Sequence, residues 1–195
     1  MMDAKIEALI KEIRACTNCA ENLPLGPRPI VSFSGKSKVL LVGQAPGTKV
    51  HETGVPWNDP SGDRLRAWLQ VSRDEFYDTK NFAIAPMGFC YPGRGKSGDN
   101  PPRPECAPLW MERITASLTE VQMTILIGQY ALNYFLGERR KKTLTETVKN
   151  WREYFPNFVV LPHPSPRNNI WLKKNEWFEK ELVPELSGIV SEFLK

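Results

Sequence analysis

"KVLLVGQAPG", residues 38–47, is a short apolar run, valine at both ends, stopped by glycine. A run this short, with β-branched residues and a turn signal behind it, reads as a buried strand rather than part of a helix. Three further runs repeat the pattern: "NFAIAP" (81–86), "MTILIG" (123–128) and "NFVVLP" (157–162), each ending on proline or glycine. Helical periodicity fills the intervals. A helix is expected over Ala4–Ala15, with Ile6, Leu9, Ile10 and Ile13 on one face. Another starts near Ser61 and carries Leu65, Trp68 and Leu69, and a third runs from about Pro104 to Leu118. "QYALNYFLG" is a short helix closed by Gly137, and one long helix with Trp171, Trp177, Phe178 and Leu182 fills the end. This alternation predicts an α/β fold: a three-layer αβα sandwich around a central, mainly parallel four-stranded sheet. With 195 residues, no internal repeat and no low-complexity linker, residues 1–195 are expected to form one domain.

Composition excludes several classes. Hydrophobic residues make up 41% and charged residues 25%, as in soluble globular proteins, and no apolar run approaches the length that crosses a bilayer. The start, "MMDAKIEALIKEIRAC", is amphipathic rather than signal-like, so a cytoplasmic protein without a membrane partner is expected. A net charge of +4 permits a polyanionic partner without requiring one. No feature suggests an obligate protein partner.

Ligands of open parallel sheets bind outside the carboxyl ends of the strands. Here those ends carry "GQAPG", "PMGFCYPG", "GQY" and "HPSPRN", so every unusual loop falls at one edge, and one composite site is expected. In "LPHPSPRN" (161–168), prolines on both sides of His163 hold it extended and remove two backbone donors. The cysteines stand at 16, 19, 90 and 106, as C-x2-C, seventy intervening residues, then C-x15-C. In a cytoplasmic chain this spacing favours a shared metal over disulfides, and spacing alone does not choose between zinc and an iron–sulfur cluster. The bland alternative is four unrelated buried thiols.

Taken together, these loops resemble the uracil-DNA glycosylase superfamily, and its iron–sulfur branches in particular. The resemblance rests on the G-x-A-P-G-type turn at 43–47 and the T-G-x-P-aromatic segment of Thr53, Gly54, Pro56 and Trp57. It rests also on the four cysteines in order, the "TILIGQYALNYFLG" helix entry, and H-P-S at His163, Pro164 and Ser165. It spans about residues 14–170. "HPSPRN" and "NDPSGD" look closer to family 5 than to family 4. The resemblance implies a monofunctional glycosylase acting on DNA that contains a deaminated base, and an iron–sulfur cluster, expected as [4Fe-4S], on Cys16, Cys19, Cys90 and Cys106, with zinc the alternative.

In that reading Gly43, Ala45 and Gly47 let the backbone approach the base, and Trp57 offers it a stacking face. His163 donates to the departing base anion. A carboxylate near the sugar cation suits the chemistry of glycosidic cleavage, with Asp59 the first candidate, Asp63 the second, and Gln44 able to orient water but not to take its proton. Ser165, Pro166, Arg167 and Asn168 would enter the DNA, with Arg94, Lys96 and Arg103 of the proline–glycine loop as further phosphate contacts, and the basic "GERRKK" (137–142) either another such contact or a solvated loop. Asn168 could instead cap the last helix. Two departures matter. Pro86 stands where uracil-selective relatives place an asparagine that reads the base edge, and Gly47 stands where a tyrosine would exclude a 5-methyl group. Hypoxanthine or xanthine as substrate, a catalytically inactive iron–sulfur nucleic-acid-binding protein, and a free-nucleoside hydrolase therefore remain alternatives.

Overall fold

The computed structural model describes residues 2–195. The chain begins with α1 (Met2–Arg14), then β1 (Val39–Val42), α2 (Thr48–Thr53), α3 (Pro60–Leu69), α4 (Arg73–Tyr77) and β2 (Phe82–Ile84). A small antiparallel hairpin, β3 (Arg94–Gly95) with β4 (Gly98–Asp99), leads to α5 (Cys106–Ser117) and β5 (Met123–Ile127). Then follow α6 (Gln129–Leu136), α7 (Leu144–Lys149), β6 (Phe158–Leu161), α8 (Asn169–Lys174) and α9 (Val183–Phe193).

The main sheet has four strands in the order β2-β1-β5-β6, and every pairing is parallel. The expected αβα architecture is therefore present, with a sheet that is wholly rather than mainly parallel. Every residue of β1, β2 and β5 is buried, as a sheet covered by helices on both faces requires. Each strand stops short of the glycine or proline that ends its run, because Pro86 and Pro162 offer no amide to the ladder and Gly43 and Gly128 begin turns. The outer edge of β2 is covered by the 30–33 segment, where Ser32 and Ile84 exchange backbone hydrogen bonds.

Strand order fixes the site. From β1 the chain steps to β2 on one side, returns past β1 to β5, and continues to β6 on the other side. The direction reverses between β1 and β5, which opens a crevice at their carboxyl ends.

The carboxyl-terminal segment differs from the single long helix expected. It breaks at Asn175, whose side-chain amide donates to the Trp171 carbonyl at 2.9 Å while its own oxygen accepts from the Trp177 indole at 3.2 Å. A side chain that competes for helix carbonyls favours such a break. Beyond it, one π-helical turn (Phe178–Leu182) leads into α9, where Pro184 sits in the first turn and its missing amide costs little.

Candidate functional site

A cleft of about 500 Å³ opens at this crevice. Its walls are the loop after β1 (Gly43–Gly47), the end of β2 with Pro86, the Trp57–Asp59 segment, the hairpin residues Ser97–Asp99, and His163 with Ser165–Asn168 after β6. Its size suits a small ligand.

His163 is held from two sides. Its Nδ1 accepts the Ser165 amide at 3.2 Å, and its carbonyl accepts the Asn168 side-chain amide at 2.6 Å. With Nδ1 occupied as an acceptor, the neutral ring carries its proton on Nε2. Burial lowers the His163 pKa from its ordinary value; the Asp59 charge opposes that drop and Arg167 adds to it. The result is a neutral imidazole with one fixed donor.

Trp57 lies beside it, ring centroids 5.6 Å apart and planes 32° from parallel. Its backbone is left-handed, φ 55°, a conformation that a bulky side chain adopts only when its surroundings impose it. Those surroundings are visible. The Trp57 carbonyl accepts from Arg66 at 3.3 Å, and a side chain at Gly62 would run into the same oxygen. Arg66 is buried, bonded also to Asp63 at 2.6 Å and to the Tyr77 hydroxyl, which in turn donates to the Pro56 carbonyl at 2.9 Å. The indole edge packs on Gly43, where a Cβ would stand 2.8 Å from Cζ2.

The second cavity lies beside residues 88–90 and the start of α5, and is lined by Cys16, Cys19, Cys90 and Cys106 with Leu23, Phe89, Trp110 and Arg103 among its other walls. All four cysteines are free. Backbone amides already reach two sulfurs: Phe89 donates to Cys106 at 3.4 Å, and Arg28 to Cys90. Burial pushes the Cys90 thiol up to about 11 and the Cys106 thiol up to about 12, so each would hold its proton until a cation took its place. Among the described residues, no three His, Cys, Asp or Glu side chains are grouped closely enough to hold a single metal ion. Two buried donors at this cavity, Arg103 Nε and Trp110 Nε1, have no partner.

The family model described as the Uracil DNA glycosylase superfamily matches residues 31–187. The chain belongs to that superfamily. Superfamily members are DNA glycosylases, hydrolases of N-glycosyl bonds that act on DNA. The match begins at residue 31, so Cys16 and Cys19 lie outside it. Among the described residues no helix is long and apolar enough to cross a membrane.

Within this superfamily fold the cleft gathers Gly43, Gln44, Ala45, Gly47, Trp57, Asp59, Pro86, His163, Ser165, Pro166, Arg167 and Asn168. Asp59 doubles as the N-cap of α3, accepting the Gly62 amide on Oδ1 at 2.8 Å. Asp63 does not line the cleft; it is exposed and paired with Arg66. Arg94 and Lys96 are exposed on the hairpin and also lie outside the lining. Arg167 reaches the hairpin instead, where its guanidinium occupies the space that a Gly98 side chain would need. Asn168 occupies the helix-capping position but makes no side-chain cap bond; its side-chain NH2 donates to the His163 carbonyl. "GERRKK" follows α6 to the opposite, amino-terminal edge of the sheet, where Arg139 covers Phe158 at the start of β6.

Sequence reasoning missed three contributors. Arg64 donates to the Pro164 and Ser165 carbonyls at 3.4 and 3.2 Å and to Asn169 Oδ1 at 2.8 Å, tying α3 to the His163 loop. Arg66 had a signal: a charge three residues before Leu69, on the apolar face of its helix. Asp99, whose Oδ2 would lie 3.4 Å from a Cβ at Gly47, had none.

Proposed function

We propose that the protein is a monofunctional DNA glycosylase that removes uracil, or a related deaminated base, after flipping it out of DNA. The observation that carries this reading is the neutral, cleft-lining His163, whose Nδ1 is tied to the Ser165 amide so that Nε2–H is the ring's donor.

In the reaction the C1′–N bond breaks and its electron pair leaves with the base. Charge then grows on the base oxygen, where the Nε2–H bond strengthens. A water oxygen bonds to C1′ and loses a proton. Asp59 is the carboxylate of the cleft best suited to the cationic sugar and that proton, since only Oδ1 is engaged by the α3 cap. Gln44 would orient the water. The Trp57 ring supplies a stacking face worth about 1–3 kcal/mol. Ser165, Pro166, Arg167 and Asn168 form the rim that would wedge into the duplex, with Arg94 and Lys96 on the neighbouring hairpin as phosphate contacts.

The donor set of the second cavity fits an iron–sulfur cluster. Four thiols surround an apolar space, amide donors already reach two of them, and two more donors have no partner. Four thiolates are the usual donor set of an iron–sulfur cluster, with zinc the alternative. Such a cluster would tie the turn after α1 to the loop before α5. No step of the hydrolysis involves it.

Pro86 favours a second reading within the same class. It is buried in the cleft wall and offers the base edge no donor, while Gly47, also in the lining, adds no side chain. Both features are compatible with a larger deaminated base, hypoxanthine or xanthine.

The test is a labelled oligonucleotide with one uracil, incubated with protein and treated with hot alkali. We expect strand cleavage at that position. His163→Ala should lower kcat by about 10²–10³ and leave DNA affinity within a few-fold. Loss of binding and turnover in equal measure would remove His163 from the chemistry. Cleavage only of hypoxanthine or xanthine substrates would select the second reading. No cleavage of any of them would leave a DNA-binding protein.

A further inference from the structure

Around the thiol cavity the chain supplies more donors than its own atoms accept. The Phe89 and Arg28 amides bond to the Cys106 and Cys90 sulfurs, and the Cys19 thiol faces Glu105 Oε2 at 4.0 Å. Arg103 spends Nη2 on Glu105 at 2.8 Å. Its Nε and the indole Nε1 of Trp110 remain buried and unpartnered, although both residues line the cavity. Native proteins rarely leave such groups unsatisfied, and an unmade bond to an occupant is the usual reason. The Trp110 ring is not free to turn away. Arg113 lies 5.0 Å over it and is itself held by Glu12 of α1 through two bonds of 2.9 and 2.5 Å.

We propose that Arg103 Nε and Trp110 Nε1 donate N–H···S hydrogen bonds to the occupant of this cavity and thereby raise its reduction potential. This rests on the iron–sulfur reading given above. Reduction adds negative charge to the cluster, and a fixed donor stabilises the more negative state more strongly. Arg103 contributes its charge as well as its bond; Trp110 contributes the bond alone. Neither residue lines the base cleft, so their effect on the occupant is separable from the glycosylase chemistry.

The test uses the full chain, purified without air. Iron and acid-labile sulfide are counted first, and the potential of the accessible couple is then measured by voltammetry. The variants are Trp110→Phe, Arg103→Lys and, as a control on the far edge of the sheet, Arg140→Gln. We expect full iron and sulfide in the wild type, in each single variant and in the Trp110→Phe/Arg103→Lys double variant. Potentials should be more negative for Trp110→Phe and Arg103→Lys, additive in the double variant, and unchanged for Arg140→Gln. Intact clusters with unmoved potentials would overturn the inference while leaving the cluster reading standing. Wild-type protein without iron or sulfide would overturn both, and does so before any variant is made. If Trp110→Phe does not retain its cluster, the wild-type protein with ¹⁵N-labelled indole decides. In the paramagnetic state a nitrogen coupling to the cluster supports the Trp110 bond, since Trp110 is the only tryptophan among the described lining residues, and no coupling refutes it.

Discussion

The base cleft and the thiol cavity share two stretches of wall. Ile30, Ile84 and Pro86 face the cleft, while Pro27, Pro29, Gly88, Phe89 and Cys90, a few residues along the same segments, face the thiols. The two are nonetheless built on different principles. In the cleft, polar side chains are oriented by other groups of the chain: His163 by Ser165 and Asn168, the Trp57 carbonyl by Arg66, Asp59 by the Gly62 amide. Such a site is complete before its ligand arrives, as catalysis by fixed donors requires. In the thiol cavity, donors are left over and the Cys90 and Cys106 thiols are held protonated by burial. In the proposed reading that site is completed by its cluster. Damage to the first should therefore appear in turnover, and damage to the second in stability.

The largest effect that would break this division is expected in the thiol cavity. Cys90→Ser should lose the bound iron and with it the tie between the turn after α1 and the loop before α5. Coupled binding and folding make this worth several kcal/mol, which in a chain of this size lowers Tm on the order of 10 °C. Thermal melts beside iron analysis check it. An iron-free variant that melts with the wild type would show that the cavity needs no occupant. The next effect belongs to the cleft. Gly43→Ala places a methyl group 2.8 Å from Trp57 Cζ2 and must displace the indole. Overpacking of about 1–3 kcal/mol is expected, taken out mainly in kcat/KM, which should fall about tenfold, with Tm within a few degrees.

How much of this was legible in sequence follows from the range of the interactions. The strands were readable because "VLLV", "FAI", "MTILI" and "FVVL" are short, apolar and stopped by glycine or proline. The short helices α2, α4 and α7 were not assigned, although two of them carry capping boxes, Ser72 with Glu75 and Thr143 with Glu146, that mark a helix start. The hairpin at 94–99 hid inside a stretch read as loop, because two-residue strands leave no alternation to detect. Candidate site residues were readable where composition is unusual, as around His163. What orients them was not. Arg64 reaches residues about a hundred positions away, and Arg167 reaches Gly98; no local pattern records either contact. Asp59 and Asn168 show a subtler limit. One residue can satisfy both a capping and a site reading, as Asp59 does, and the sequence does not say which bond a side chain makes.

Asn168→Ala sharpens the comparison at smaller scale. It removes the 2.6 Å bond to the His163 carbonyl without touching the ring. A bond of about 0.5–1.5 kcal/mol corresponds to roughly a two- to thirteenfold loss in kcat, with KM and iron content unchanged. A rise in KM instead would place Asn168 among the DNA contacts.

The smallest effect is one of pH, and it separates turnover from stability within the same protein. Burial lowers the pKa of both His163 and His51. In the unfolded chain a histidine titrates near about 6.5. As pH falls below that value the unfolded state takes up protons that the fold resists. Stability should therefore decline from about pH 6.5 downward, until the folded histidines protonate in turn. Above pH 6.5 both states are neutral and no such dependence is expected from these groups. Turnover should follow His163 alone. Its acid limb should lie below pH 6.5, because the neutral ring is the form that keeps Nδ1 as an acceptor for the Ser165 amide. His51 does not line the cleft, although its neighbour Val50 does, and its carbonyl is held by Arg28 at 2.6 Å. His51→Gln should thus flatten part of the acid loss of Tm and leave the acid limb of kcat/KM where it was. A shifted limb in that variant would mean that α2 transmits charge to the cleft, and that His163 is not insulated as its two backbone bonds suggest.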